Sequence, residues 1–181
     1  MNRRLVLQGL VVGCLTSVAP GWLRANVLVP PNSVLLRCLG TAPGSARFLD
    51  GRTGNGTVGL APEATTRFSG TKWNVHKAGD GIVALQCVGT GNGPRWLDGR
   101  TADGTVGLAP STENPFTGTR WEVVSVDDNN PDIVALKCLA AIEGARWLDG
   151  RTGDGRVGLA PTTDAPFTGT KWEVKIYPAL M

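Results

Sequence analysis

Hydrophobic and polar residues alternate in a short stretch that opens each of three related segments of the chain. A polar side chain lies before the last apolar position of each stretch, at Arg37, Gln86 and Lys137. The apolar positions of the three stretches are Val34, Leu36 and Cys38, then Val83, Leu85 and Cys87, then Val134, Leu136 and Cys138. A period of two is typical of a β-strand with one buried face. Each segment is therefore predicted to begin with such a strand.

Three further short strands are predicted in each segment. The second contains Arg-(Phe/Trp)-Leu-Asp-Gly-Arg, and the Asn-Gly or Asp-Gly that follows favours a tight hairpin turn because these residues tolerate a positive φ. The third carries Val-Gly-Leu-Ala and ends at a proline. The fourth opens with a tryptophan, at Trp73, Trp121 and Trp172. The pattern predicts an all-β protein with four strands in each segment.

The three segments are copies of one repeat. Leu-Asp-Gly-Arg-Thr occurs at 49–53, 97–101 and 148–152, and Gly-Thr-(Lys/Arg)-Trp occurs at 70–73, 118–121 and 169–172. The copies span residues 34–79, 82–128 and 133–177. One such unit cannot bury its apolar face alone, whereas three can close around a threefold axis without leaving a free sheet edge. We therefore expect a single domain over residues 33–178, after a short linker at 26–32.

The repeat resembles two known families. Leu-Asp, Gly-Thr-Val-Gly-Leu and the closing tryptophan resemble the ricin-type lectin repeat, and Val83-Ala84-Leu85 with Trp96-Leu97 resembles the fascin-like group. The resemblance covers nearly all of residues 33–177. It implies a β-trefoil with three pseudo-threefold repeats of about four strands each.

A carboxylate and a guanidinium group recur two residues apart on the second strand, so that they share one face of it. These pairs are Asp50 and Arg52, Asp98 and Arg100, and Asp149 and Arg151. The resemblance to ricin-type lectins implies that the aspartates accept hydrogen bonds from sugar hydroxyls, and an ionised carboxylate can accept two at once. The alternative is structural, because the same residues could cap the hairpin and fix its register.

Three features of the lectin repeat are absent. The stacking aromatic is replaced by Ala61, Ala109 and Ala160, the glutamine before the last tryptophan by Thr71, Thr119 and Thr170, and the asparagine beside it by Gly70, Gly118 and Gly169. A galactose site of the usual kind is therefore not expected. Another aromatic residue lies nearby in each copy and either supplies a stacking face or belongs to the core: Phe68, Phe116 and Phe167.

Composition and charge narrow the classes of function. The chain has 25 glycines, 12 prolines and a single histidine, His76, which argues against catalysis by a histidine base or a multi-histidine metal site. The net charge of +3 arises from Arg3, Arg4 and Arg24, since the first 25 residues contain no acidic residue. Basic runs that would attract a phosphate backbone are missing. We expect no enzymatic activity, no cofactor and no nucleic-acid partner.

Residues 1–25 have the basic start and short apolar stretch of an export signal, and Asn2-Arg3-Arg4-Leu5-Val6 resembles a bacterial twin-arginine signal. The protein is therefore expected to be exported, to the periplasm or beyond. Alternatively, Val11-Val12-Gly13-Cys14 resembles a lipobox, which would anchor a lipoprotein at Cys14. A lipid on this residue is the only membrane contact that the sequence suggests.

We expect a non-catalytic recognition module with glycans as partners, and three weak equivalent sites would gain by avidity. One alternative is a protein-binding module such as a protease inhibitor, acting through the least symmetric loops at 42–46 and 127–132. Another is a fascin-like structural or cross-linking protein. The repeated cysteines Cys38, Cys87 and Cys138 are expected to be buried free thiols, with a three-cysteine metal site on the axis as the alternative.

Overall fold

The computed structural model describes Leu28, Pro30 and residues 32–177. The predicted export signal and Cys14 lie outside the described residues. Within them the regular structure is β-strands and short 3₁₀ turns. The strands are β1 Ser33–Cys38, β2 Phe48–Arg52, β3 Thr57–Ala61, β4 Trp73–Gly79, β5 Ile82–Cys87, β6 Trp96–Arg100, β7 Thr105–Ala109, β8 Trp121–Ser125, β9 Ile133–Cys138, β10 Trp147–Arg151, β11 Arg156–Ala160 and β12 Trp172–Ile176. The predicted all-β class, with four strands in each copy, is confirmed.

All twelve strands belong to one antiparallel sheet, and ten of them close into a barrel. The ring of hydrogen-bonded neighbours runs β11, β3, β2, β1, β12, β9, β8, β5, β6, β7 and back to β11. The two extra strands attach to this ring: β4 pairs with β1 and β5, and β10 pairs with β9 and β11. A closed ring leaves few unpaired strand edges for other chains to pair with.

The expectation of a β-trefoil, and with it the ricin-type and fascin-like resemblance, is wrong. That expectation gave the three copies equivalent places around a threefold axis, whereas the ten-strand ring takes three strands from the first copy, four from the second and three from the third. In the structure the third strands of the three copies pair with one another, at Arg156 with Gly59, at Thr57 with Gly107 and at Gly158 with Thr105. The barrel closes through these pairings between copies. The alternation of side chains predicts strands but carries no information about which copies pair.

The predicted hairpin turns are present in all three copies. The turn glycines have positive φ angles, 74° at Gly56, 72° at Gly104 and 73° at Gly155. In the first turn, the side-chain oxygen of Asn55 accepts a hydrogen bond from the Thr57 amide at 3.2 Å. Glycine is favoured because residues with a Cβ are strained at such φ values. The turns set the same register in each hairpin, with the aspartate of Leu-Asp-Gly-Arg opposite a glycine.

The core contains the apolar residues of the first strand and the tryptophans of the fourth. Trp73, Trp121 and Trp172 are fully buried, and each indole N–H donates to a backbone carbonyl, that of Leu49, Leu97 or Leu148. Buried indoles need such a partner because an unpaired polar group is costly. Leu28, in the predicted linker, is also buried in the core.

Candidate ligand clefts

The candidate site residues lie in three equivalent surface clefts, which we number by copy. Cleft 1 contains Asp50, Arg52 and Phe68; cleft 2 contains Asp98, Arg100 and Phe116; cleft 3 contains Asp149, Arg151 and Phe167. Their volumes are about 230, 170 and 350 Å³, respectively. The structure therefore brings together, within each copy, the three residues that the sequence singled out.

The hairpin places the carboxylate and the guanidinium group on one face, as predicted. Asp50 and Arg52 both lie on β2, and the Cα partner of Asp50 across the hairpin is Gly59. A Cβ on Gly59 would be only 3.0 Å from a terminal nitrogen of Arg52. The glycine therefore leaves room for the guanidinium group to lie across β3.

The phenylalanines belong to a short turn rather than to the core. Phe68, Phe116 and Phe167 are half-buried and lie outside the hydrophobic core cluster of the described residues. The threonine of the Gly-Thr-(Lys/Arg)-Trp motif holds each turn. In the first copy, the Thr71 hydroxyl donates to the Phe68 carbonyl at 2.8 Å. The equivalent bonds in the other copies measure 2.9 Å. These bonds hold the turn that carries the ring, and the ring lines the same cleft as the Asp–Arg pair.

A glycine packs this turn tightly against the hairpin. A Cβ built on Gly70 would lie 2.1 Å from the Gly51 carbonyl oxygen and 2.6 Å from a carboxylate oxygen of Asp50. Gly118 and Gly169 make the same close approach in their copies. Any side chain here would push the turn away from the carboxylate, which explains why glycine occupies this position three times.

The outer wall of each cleft comes from the next copy, a feature that the sequence reasoning missed. In cleft 1 it is formed by Thr90 and Gly91, and the Gly91 amide donates to the Thr53 hydroxyl at 2.9 Å. In cleft 2 the corresponding hydroxyl, that of Thr101, donates to the Ile142 carbonyl of the next copy. In cleft 3 the Thr152 hydroxyl donates to the Ala42 carbonyl. The threonine of Asp-Gly-Arg-Thr therefore joins neighbouring copies. Its threefold recurrence is the signal that could have indicated this role.

The cysteine of the next copy lies beneath each cleft. The Cys87 thiol is buried and donates to the carbonyls of Gly51 at 3.2 Å and Gly70 at 3.4 Å. Cys38 and Cys138 make the equivalent contacts in clefts 3 and 2. Burial raises the pKa of all three thiols. The three are free thiols, and within the described residues no cluster of His, Cys, Asp or Glu could hold a metal ion.

Burial and a neighbouring cation act in opposite directions on the cleft carboxylates. Burial raises the pKa of Asp50, Asp98 and Asp149 above the ordinary value of 3.8, and the adjacent arginine lowers it in part. The Arg52 Nε lies 3.7 Å from an Asp50 carboxylate oxygen, and the equivalent distance from Arg100 to Asp98 is 3.9 Å. The arginines are more than half exposed, so they stabilise the buried carboxylates only weakly. This costly arrangement is repeated three times.

An Asp98→Asn variant should unfold at neutral pH at the same temperature as the wild type or a higher one. Because the folded-state pKa of Asp98 is raised, its contribution to stability is fully present below its unfolded pKa and is lost as the pH rises through the folded pKa. The amide carries no charge and avoids this loss. Thermal unfolding of both proteins at neutral and acidic pH provides the measurement. A clearly lower melting temperature of the variant at neutral pH would instead support a structural role for the Asp–Arg pair.

Each cleft combines several kinds of contact. A carboxylate accepts hydrogen bonds, a guanidinium group donates them, hydroxyls do both, and an aromatic ring offers an apolar face. The side chains of Asp50 and Asp98 are each 11% exposed, so both can still be reached from the cleft. This set of groups suits a polar ligand with both hydroxyl groups and apolar ring faces. Within residues 32–177, no helix is long and apolar enough to span a membrane.

Comparisons with known proteins define the fold alone. Neither a protein-family model nor a curated protein matches the chain. Among solved structures, the chain is similar to the GlcNAcα1-4Gal releasing endo-β-galactosidase from Clostridium perfringens, with a TM-score of 0.60 and 16% sequence identity. The match covers 81% of this chain and 33% of the enzyme chain. The chain therefore corresponds to about a third of that enzyme's length.

Proposed function

We propose that the protein is a non-catalytic carbohydrate-binding module with three sites, one in each cleft. The observation that supports this most strongly is the threefold recurrence of a partly buried aspartate beside an arginine and a half-buried phenylalanine. Sugars present neighbouring hydroxyls that a carboxylate can accept from, and ring faces that an aromatic side chain can contact. An ionised acceptor strengthens these hydrogen bonds.

The burial of three carboxylates, which costs stability, also supports a role for them in binding. Their raised pKa shows that the fold holds them where ionisation is disfavoured. Perturbed groups that lie in a cleft are candidates for function. Binding should weaken on acidification at a higher pH than an ordinary aspartate would require, because protonation removes the charged acceptor.

Binding, rather than hydrolysis, is the function that all three clefts could share. Glycoside hydrolysis generally uses two carboxyl groups roughly 5–9 Å apart. Clefts 1 and 2 each contain one, Asp50 and Asp98. The structural neighbour from Clostridium perfringens acts on a galactose-containing glycan according to its name, but the shared fold does not transfer that activity.

Three sites on one small domain would act together on a multivalent surface. Each cleft is small, at about 170–350 Å³, and would bind weakly on its own, while linked sites raise the effective concentration for the second and third contacts. The protein would therefore prefer densely displayed or polymeric glycans to free monosaccharides.

Removing the three carboxylates tests this proposal. The triple variant Asp50→Asn, Asp98→Asn and Asp149→Asn is expected to lose binding on a glycan array of neutral and acidic oligosaccharides, by about tenfold or more per site. A control that removes the same charge outside the clefts, Asp80→Asn with Asp127→Asn and Asp128→Asn, should bind as the wild type does. The proposal fails if the wild type binds no glycan or if the cleft variant binds equally well.

The protein-binding alternative has less support from the structure. The loop at 127–132 contributes no residue to any cleft, although Ala42 in the loop at 42–46 lines cleft 3. The asparagines of the loop at 127–132 form local turn contacts, such as the Asn129 amide to the Asp127 carboxylate at 2.9 Å. A protease panel with Asn129 and Asn130 both changed to alanine distinguishes this alternative from sugar binding.

We further propose that the protein is exported, on the basis of residues 1–25 alone. Mass spectrometry of the mature N-terminus from the native host would distinguish two routes. A free terminus at Asn26 would indicate cleavage of a soluble export signal, whereas a lipidated Cys14 would indicate a lipoprotein. An intact Met1 in all of the recovered protein would contradict both.

A further inference from the structure

The three clefts differ in charge although they share one plan. The charged side chains of cleft 1 are Asp50, Arg52 and Arg67; those of cleft 2 are Asp98 and Arg100; those of cleft 3 are Asp149, Arg151 and Asp154. Cleft 1 therefore carries one excess positive charge, whereas cleft 2 is balanced and Asp154 of cleft 3 pairs with Arg156, whose Nε lies 3.6 Å from its carboxylate. Because the framework is the same, the positive charge of cleft 1 depends on one position, that of Arg67.

Arg67 is the residue that distinguishes cleft 1. It directly precedes Phe68, at the position taken by Pro115 and Pro166 in the other copies. Its guanidinium carbon lies 5.6 Å from the centroid of the Phe68 ring, a cation–π distance that holds the side chain over the aromatic face. Arg67 itself is exposed. Within residues 32–177 no carboxylate forms an ion pair with it, so its donors point to no acidic partner in the described chain.

The rim of cleft 1 places two hydroxyl groups in the same cleft as Arg67. The hydroxyls of Ser69 and Thr90 lie 3.4 Å apart across the gap between the two copies. At the same rim, cleft 2 has Ala140 and the exposed side chain of Ile142. Hydroxyl groups beside guanidinium groups provide the donors that an anion needs. A hydroxyl also lines cleft 2, that of Thr117, and the hydroxyls of Thr41 and Thr168 lie 3.1 Å apart beside cleft 3. Arg67 is therefore the group that sets cleft 1 apart.

We propose that cleft 1 is selective for a sugar with an anionic substituent, a uronate carboxylate or a sulfate. This inference rests on the proposed function of the clefts. Asp50 accepts hydrogen bonds from the sugar hydroxyls, and Arg67 binds the anionic group together with the rim hydroxyls. The Arg52 guanidinium, 3.7 Å from the Asp50 carboxylate, offsets the repulsion between that carboxylate and the anionic ligand. Clefts 2 and 3 have no equivalent of Arg67 and bind neutral sugars.

The test isolates cleft 1 in a chain with Asp98→Asn and Asp149→Asn. Calorimetric titrations compare trigalacturonate, a heparin tetrasaccharide and neutral galactotriose. At least one acidic probe should bind about tenfold more tightly than the neutral one, and the preference should decline with added salt because Arg67 is exposed. The uronate and the sulfated probe then show which anionic group is recognised.

Adding Arg67→Gln to this chain should remove the acidic preference, so that the acidic and neutral probes bind with the same affinity. Lys77→Gln removes an equal charge at an exposed lysine outside the clefts and should change neither. Equal binding of neutral and acidic probes by cleft 1 would overturn the selectivity but not the proposed function. Failure of cleft 1 and of the wild type to bind any probe would overturn both. The selectivity for an acidic sugar would also be overturned if inorganic sulfate or poly-glutamate competed with the same affinity as the acidic sugar. Recognition would then depend on the anionic charge and not on the sugar.

Discussion

Replacing Trp121 with alanine is expected to lower the free energy of unfolding by about 3–5 kcal/mol. The indole is fully buried, and its N–H donates to the Leu97 carbonyl at 3.0 Å. The substitution leaves a large cavity and an unpaired buried carbonyl together. Small domains are stable by about 5–15 kcal/mol, so the loss is a large share of the total. Urea denaturation monitored by circular dichroism measures it.

The same indole also supports cleft 2. Its outermost ring carbon would lie 3.0 Å from a Cβ on Gly99, the residue that follows Asp98. A Trp121→Phe variant removes the hydrogen bond while retaining a large ring, so it should lose less stability than the alanine variant does. Trp96→Ala provides the control, since Trp96 is half-buried at the surface beside His76 and should lose only about 1 kcal/mol. Equal losses at Trp96 and Trp121 would contradict the assignment of Trp121 to the core.

Replacing Gly70 with alanine is expected to cost about 3 kcal/mol, at the upper end of the range for overpacking. The new Cβ would lie 2.1 Å from the Gly51 carbonyl oxygen, and rigid backbone on both sides leaves little room to relax. The turn that carries Phe68 would have to move away from the Asp50 carboxylate. Ligand binding at cleft 1 should therefore decline along with stability.

Gly54→Ala in the same copy is the matched control. Nothing lies within 4 Å of a Cβ built there, and the φ of Gly54 lies outside the positive range. Alanine should be neutral or add about 0.4–1 kcal/mol, because it restricts the unfolded chain. Chemical denaturation of both variants gives the comparison. If Gly70→Ala were as stable as Gly54→Ala, the tight packing of the turn against the hairpin would be disproved.

Local chemistry explains why much of this fold could be predicted. The alternation of Val34, Leu36 and Cys38 depends only on the period of a strand, and all three side chains are buried as expected. Positive φ at Gly56 follows from the Asn-Gly pair before any tertiary contact is known. Which ten strands form the ring could not be predicted in this way, because a single residue pair such as Arg156 with Gly59 leaves no periodic signature.

The candidate sites also combine features that local sequence predicts with features that depend on tertiary contacts. Asp50 and Arg52 share a face because they are two residues apart, so that their proximity could be predicted. Their proximity to Phe68 depends on the close approach of Gly70 to Gly51, which only the structure shows. The contribution of Thr90 and Gly91 depends on contact between copies. Arg67 was missed because it breaks the repeat, and the sequence reasoning relied on what recurs.

The number of bound ligands tests the central claim, that three equivalent clefts are the functional sites. Isothermal titration of the wild type with the neutral oligosaccharide that binds most tightly on the glycan array is expected to give three sites per chain. Each single variant, Asp50→Asn, Asp98→Asn or Asp149→Asn, should reduce this number by one and leave the remaining sites at the wild-type affinity. One site per chain, or three sites that persist in every variant, would contradict the claim.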